Sequence, residues 1–272
     1  MNKLRIGIAG CGAIGSSLAK KILRDFSKEA RLTGLYDTDT NKSKQLAGSI
    51  LKNRLVTSSL AQLVARSQLV IEATSAASAF GIARYTLAKK RDIMIMSIGG
   101  VAGHFRQLMQ LAKKNNTKVY LPSGAISGID ALKALNLSKI KQVTLTTRKN
   151  PASFKGVRYI EEKGIKLDKI KKDTLLFLGS AEKAVHFFPQ NINVAGLLSI
   201  AGVGAKNTLV KIIASPGLRK NIHEIQVQSE AANVFTRSEN IAHPQNPKTS
   251  YLAFLSAAAT LKQILGPVKI GT

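Results

Sequence analysis

Leu4-Arg5-Ile6-Gly7-Ile8-Ala9-Gly10-Cys11-Gly12-Ala13-Ile14-Gly15 runs a short apolar strand into three glycines, and the following Ser16 to Phe26 stretch has the pattern of a helix. This is the glycine spacing of a dinucleotide-binding turn. Gly10 permits the tight reversal, Gly12 lets a pyrophosphate approach the backbone, and Gly15 lets helix and strand pack closely. Phosphates would sit at the helix N-terminus, against the N–H groups of Ala13 and Ile14. A second apolar run, Arg31 to Tyr36, ends in Asp37, about 20 residues past the turn, where a carboxylate accepts ribose hydroxyls. Asp37 and Asp39 would repel a 2′-phosphate and no arginine follows Asp37. NAD is therefore the expected cofactor, with NADP the second choice because Lys42 and the general positive field oppose that repulsion.

Outward from this turn, the first 122 residues alternate strand and helix signals. Apolar runs at 4–9, 31–36, 54–57, 68–74, 92–97 and 118–121 are separated by helical stretches such as 43–51, 77–89 and 105–114. Six such strands predict a Rossmann-type, doubly wound parallel sheet. Ligands then lie beyond the carboxyl ends of the strands, which brings in Ala73 and Thr74 and the segment from Ser97 to Gly100. Gly99 and Gly100 are read either as a plain loose turn or as a site of close approach to the nicotinamide half of a cofactor.

The rhythm changes after Pro122. A small-residue loop, 123–128, precedes a short helix at 129–137, and Gln142 to Lys149 sets Val143, Leu145 and Thr147 against polar neighbours as a half-buried strand. Further strands are expected at 175–179, 209–214, 222–228 and 233–237, with helices near 181–186 and 194–205. These make a smaller α+β substrate lobe with a mixed, largely antiparallel sheet. Asn246-Pro247-Lys248-Thr249-Ser250 reads as a capped helix start, opening a helix from Tyr251 to Leu265. The expected organisation is a dinucleotide-binding domain over 1–122, a substrate and catalytic domain over 123–245, and a C-terminal segment, 246–272, whose helix packs back on the first domain.

Composition removes other classes. The apolar stretch at the start is short and broken by Arg5, so it is not read as a signal peptide, and no run of about 18 apolar residues occurs. A cytoplasmic, membrane-free protein is expected. The single cysteine, Cys11, cannot form an internal disulfide, and no Cys/His cluster has metal spacing, so no metal is expected. The formal net charge is +26. The positive residues are spread along the chain with few aromatics between them and no nucleic-acid module, so steering of small anions is expected rather than a specific nucleic-acid partner. A homo-oligomer, in the simplest case a dimer, is the expected assembly.

A dehydrogenase needs a group that titrates near neutral pH, and four histidines are available. His104 reads as a surface or capping residue, His186 as buried at an element end beside Phe187 and Phe188, and His243 as a loop residue before a proline. His223 alternates with Ile225 and Val227 on one strand face, either as a core histidine bonded to a backbone carbonyl or as a catalytic group.

Taken in order, Gly10 to Gly15 with its strand, Ser123-Gly124-Ala125-Ile126, Phe188-Pro189-Gln190-Asn191-Ile192-Asn193-Val194-Ala195, Asn221-Ile222-His223-Glu224-Ile225 and Asn246-Pro247-Lys248-Thr249-Ser250 resemble the L-aspartate dehydrogenase family over nearly the whole chain. The resemblance implies that Ala125 and Asn193 contact the cofactor and that His223 is the catalytic histidine. It further implies reversible oxidative deamination of L-aspartate to iminoaspartate, then oxaloacetate and ammonia, feeding nicotinamide cofactor biosynthesis. Lys248, Thr249 and Ser250 at the expected helix start would hold the small dicarboxylate, or else only cap the helix. The chain departs from the family at Gly100 and Gly196, where alanine is usual, without losing a proposed chemical group. Two rivals stand beside this reading: a dehydrogenase or reductase for another small acid or a semialdehyde, and a non-catalytic dinucleotide sensor with a basic nucleic-acid-binding surface.

Overall fold

The computed structural model describes residues 2–188, 192–244 and 246–272, and they form two compact units: 1–122 with 254–270, and 123–253 with 271–272. In the first unit, β1 (Leu4–Ala9) leads through α1 (Ala13–Asp25) to β2 (Ala30–Tyr36), and α2 (Thr40–Ser49) and α3 (Leu60–Arg66) lead on to β3 (Leu69–Glu72). After β3 come α4 (Ala76–Ala88), β4 (Asp92–Ile95), the short α5 (Gly99–Ala102), α6 (Phe105–Asn115) and β5 (Val119–Tyr120). The sheet is parallel throughout, in the order β2-β1-β3-β4-β5. Its central strands are buried at nearly every position, which is why they read as continuous apolar runs rather than alternating ones. The chain leaves β1 for β2 on one side and returns to β3 on the other. That reversal opens a crevice beyond the carboxyl ends of β1 and β3.

Two local expectations are corrected in this unit. Residues 54–57 do not form a strand: Asn53–Leu55 is a 3-10 turn, and only Val56 bridges to Leu35. Thr57 then uses both its N–H and its hydroxyl on the Leu35 carbonyl, and Ser59 caps α3, so the chain turns away after one bridge. Five strands result instead of six. Gly99 and Gly100 belong to the helical turn α5 rather than to a loose turn, and a Cβ on Gly100 would lie 2.0 Å from the Ala76 carbonyl oxygen. Its small size serves helix packing.

The second unit contains α7 (Ile129–Leu135), β6 (Ile140–Lys149), α8 (Arg158–Glu162), β7 (Thr174–Ser180), α9 (Ala181–Phe187), α10 (Ile192–Ala201), β8 (Thr208–Ala214), β9 (Asn221–Ser229) and β10 (Asn233–Asn240). Its sheet runs β10-β9-β6-β8-β7, parallel only between β6 and β8. One face, carrying Val143, Leu145, Val210, Ile212, Ile225 and Val227, is buried, as strict alternation along β8 requires. A small hairpin of β11 (Ala242–His243) and β12 (Asn246–Ser250) follows. The expected helix start at 246–250 is therefore a strand, while the helix itself, α11 (Tyr251–Leu265), has the bounds expected from the sequence. From Phe254 onward it belongs to the first unit, where Phe254, Ala257, Ala258 and Leu261 join the apolar core that includes Ile6, Ile8, Leu18 and Ile22. Among the described residues no helix is long and apolar enough to cross a membrane.

Candidate active site

The glycine turn has the geometry of an anion cradle. Gly10 takes a left-handed backbone (φ +97°), and a Cβ there would lie 2.3 Å from the Ala73 carbonyl oxygen. A Cβ on Gly15 would lie 1.9 Å from the Gly10 oxygen. Gly12 differs, because its φ is −72° and, apart from its chain neighbours, no described residue comes within 4 Å of where its Cβ would be. The fold itself therefore does not demand glycine at position 12; the open space above it fits a ligand brought against the backbone. Gly12 also caps α1 without any side-chain bond, and the first turn holds no acid, so the helix itself supplies no carboxylate to compete with a phosphate.

Asp37 stands over the turn. Its Oδ2 accepts the Cys11 N–H at 2.7 Å and its Oδ1 accepts the Asp39 N–H at 3.0 Å, leaving lone pairs for ribose hydroxyls. Gly10, Gly12, Ala13, Ile14, Gly15, Asp37 and Ala73 thus lie around the ends of β1 and β3. The Cys11 thiol is pushed up to about 12 by burial and by the neighbouring Asp37 carboxylate, so it stays protonated and unreactive. One contributor has no role in the sequence reading. Glu72, fully buried at the end of β3, accepts the Thr74 N–H (2.7 Å) and hydroxyl (2.6 Å) on Oε1 and the Ser97 N–H (3.0 Å) on Oε2, tying the loop after β3 to the loop after β4.

In the second unit His223 lies on the inward face of β9 with Ile225 and Val227, 6% exposed. Its Nδ1 is 3.0 Å from the hydroxyl of Thr147, its cross-strand partner on β6. Among the described residues no backbone carbonyl is bonded to its ring. With the proton on Nδ1 donated to Thr147 Oγ1, the Nε2 lone pair is left to accept a proton. Burial, reinforced by the charge of Lys149, holds the imidazole down to about 3, so it is neutral at physiological pH. Lys149 is itself buried at the end of β6, and burial lowers it to about 8.

A cavity of about 630 Å³ opens beside these strand ends, lined in part by Lys149, Lys155, Arg219, Lys220, Thr249 and Ser250. His223 does not line it, but Asn221, two residues away on the same strand face, does. Asn240 organises its other side: Nδ2 donates to the Ala125 carbonyl at 3.0 Å and Oδ1 accepts from Ser250 Oγ at 2.5 Å. Ala125 and Ser250, separated by most of the lobe in sequence, are thereby joined through a residue the sequence did not single out. Thr249 and Ser250 reach the cavity from a strand, not from a helix N-terminus, so the expected helix-start N–H groups do not contribute there. The Lys248 side chain lies outside the described residues. Asn193 sits on the first turn of α10, exposed. The other histidines lie elsewhere: His104 is exposed and stacks on Phe80, His186 is exposed rather than buried, and His243 is buried in the hairpin against Tyr251. Among the described residues no group of His, Cys, Asp and Glu could hold a metal ion.

Residues 10–122 match the family model described as homoserine dehydrogenase, NAD binding domain, and residues 130–264 match that described as aspartate dehydrogenase, C-terminal. The chain is 42% identical over 271 residues to an L-aspartate dehydrogenase of Methanosarcina barkeri, covering 99% of this chain and 100% of that protein. It is 44% identical to that of Methanosarcina acetivorans with the same coverage. The chain belongs to the L-aspartate dehydrogenase family. The fold agrees: the crystal structure of an aspartate dehydrogenase from Thermotoga maritima superimposes with a TM-score of 0.76 at 24% identity, covering 99% of this chain and 100% of that one. Lys149 was missed although it occupies the next inward position after Val143, Leu145 and Thr147, a period-2 signal that stood in the sequence.

Proposed function

We propose that this protein is an NAD(P)-dependent L-aspartate dehydrogenase that interconverts L-aspartate with iminoaspartate, and through hydrolysis with oxaloacetate and ammonia. The observation that carries the reading is a neutral, buried His223 tied to Thr147 beside a cation-lined cavity, in a chain whose full-length relatives bear that activity. A bound nicotinamide would supply hydride transfer at the substrate Cα. The turn from Gly10 to Gly15, with Asp37 and Ala73, would hold the dinucleotide. Ala125 and Asn193 are the proposed contacts to its nicotinamide end, Ala125 being held in place by Asn240. His223 takes the proton from the substrate ammonium, or from the water that attacks the imine, on Nε2 while Thr147 fixes the ring. Thr249 and Ser250, together with Lys248, are proposed to contact the dicarboxylate.

The test is NADH oxidation with oxaloacetate and ammonia. Turnover is expected only when both are present, and turnover with oxaloacetate alone would replace this reading with that of a hydroxy-acid dehydrogenase. A homo-oligomer, with a dimer as the simplest form, belongs to the same proposal: Leu175, Leu178 and Phe235 on the outer strands of the mixed sheet are each more than half exposed. Light scattering coupled to size exclusion checks it, and a monomer at micromolar concentration would refute it. Action in the cytoplasm, on the common pool of nicotinamide cofactor, completes the proposal.

A further inference from the structure

Lys149 is 8% exposed, and no described residue forms an ion pair with it. A buried ammonium without a counter-ion is costly, and such groups persist where a partner arrives later. The cavity that Lys149 lines carries three further cations, Lys155, Arg219 and Lys220, and no carboxylate side chain among its described lining residues. The hydroxyls of Ser153, Thr249 and Ser250 line it too. The wall is therefore complementary to an anion with several acceptor oxygens, and the charged group at its most buried point is Lys149.

Position along the strand identifies the anion. On β6 the inward face reads Leu145, Thr147, Lys149, and across the strand pair Thr147 faces His223. Lys149 therefore stands two residues beyond the partner of the histidine on one face, a step of ~7 Å along the strand. With a hydrogen-bond length of ~3 Å at each end, a four-carbon diacid bridges such a step: with its reacting carbon at His223, its remote carboxylate reaches toward Lys149.

We propose that Lys149 is the specificity-determining residue of the substrate site, binding the carboxylate of the dicarboxylate that is remote from the carbon exchanging hydride. This rests on the aspartate dehydrogenase reading given above. The charge of Lys149 also opposes protonation of His223. A carboxylate paired with Lys149 cancels that opposition and makes His223 a stronger base only when a diacid is bound. A monoacid such as pyruvate leaves it in place. Selectivity for the diacid then appears in turnover as well as in binding.

The experiment compares wild type, Lys149→Met and Lys149→Arg. Methionine keeps the length and removes the charge, and because it relieves an unpaired buried ammonium the variant is expected to melt no lower than wild type. In NADH oxidation with ammonia, kcat/KM for oxaloacetate should fall about 100-fold in Lys149→Met, far more than kcat/KM for pyruvate, and Lys149→Arg should recover a substantial part of it. Independently of catalysis, calorimetric binding of succinate to the NADH-loaded protein should be lost in Lys149→Met and kept in Lys149→Arg. Unchanged succinate affinity together with an unchanged preference for oxaloacetate in Lys149→Met would overturn the assignment. If wild type has no activity toward oxaloacetate and ammonia but binds succinate through Lys149, the carboxylate site stands and the aspartate dehydrogenase reading falls.

Discussion

His223 is held at rest in the neutral form, the one that can accept a proton during the reaction. Burial and Lys149 depress its folded-state pKa to about 3 against an ordinary value near 6.5. A depressed pKa means that the unfolded chain takes up a proton the folded chain refuses. The stability associated with His223 is thus complete above pH ~6.5 and is lost as pH falls toward 3. His223→Asn, which cannot titrate, is expected to show a flatter decline of melting temperature between pH 6.5 and 4, measured by calorimetry. The same variant should retain NAD binding while turnover falls by roughly 100-fold or more. Nearly full activity per folded molecule would remove His223 from the chemistry and leave it a core residue. Asp37 calls for a separate measurement. Asp37→Asn keeps the size and the acceptor for Cys11 but removes the charge, so the ratio of NADP to NAD affinity should rise by about 10-fold in a fluorescence titration. A fixed ratio would show that Asp37 only organises the turn.

Individual elements carry their own test, because the three glycines of the turn serve different masters. Gly15→Ala drives a methyl into the Gly10 carbonyl, backbone against backbone, and is expected to cost about 3 kcal/mol or more in denaturant unfolding. Gly12→Ala meets nothing in the protein. Its melting temperature should stay within a degree or two of wild type while NAD affinity falls at least about 10-fold, and unchanged affinity would mean that no pyrophosphate approaches that backbone. Elements of this kind were legible for a physical reason. Parallel strands buried on both faces leave continuous apolar runs, and β8 and β9 leave clean alternation, so the parallel sheet and the mixed sheet could both be read in advance. What failed were segments whose state is decided by tertiary bonds: residues 54–57, diverted by Thr57 bonding the Leu35 carbonyl, and 246–250, whose Pro and Asn fit a helix start but which pair with β11. The short α3 went unread, and its signal was small, a Ser59 cap before a seven-residue helix. At the site, Asn240 and Glu72 were invisible because their importance lies in partners far away in sequence, the Ala125 carbonyl and the Ser97 N–H.

At the scale of the whole molecule, the net charge of +26 acts on every anion and on the chain itself. Ion pairs offset little of it. Most of those formed lie at the surface, as in Arg158 with Glu162, where each is worth at most about 1 kcal/mol, while a network centred on the largely buried Glu224 and bridging Arg148 and Arg237 ties neighbouring strands. Uncompensated like charges repel in the compact state more than in the expanded one, so screening them should stabilise the fold. The same screening should weaken the attraction of a dianionic substrate to its cationic cavity. The two effects have opposite signs and are separable on one preparation. Raising potassium chloride from about 20 mM to about 200 mM, across which the Debye length shrinks from roughly 20 Å to under 10 Å, should raise the melting temperature while raising the apparent KM for oxaloacetate. A short duplex added at the higher salt should bind weakly and without sequence preference. A melting temperature that falls with salt would show that attractive pairs outweigh self-repulsion, and tight, saturable binding of one nucleic-acid sequence would mean that the positive surface serves a polyanion rather than the substrate.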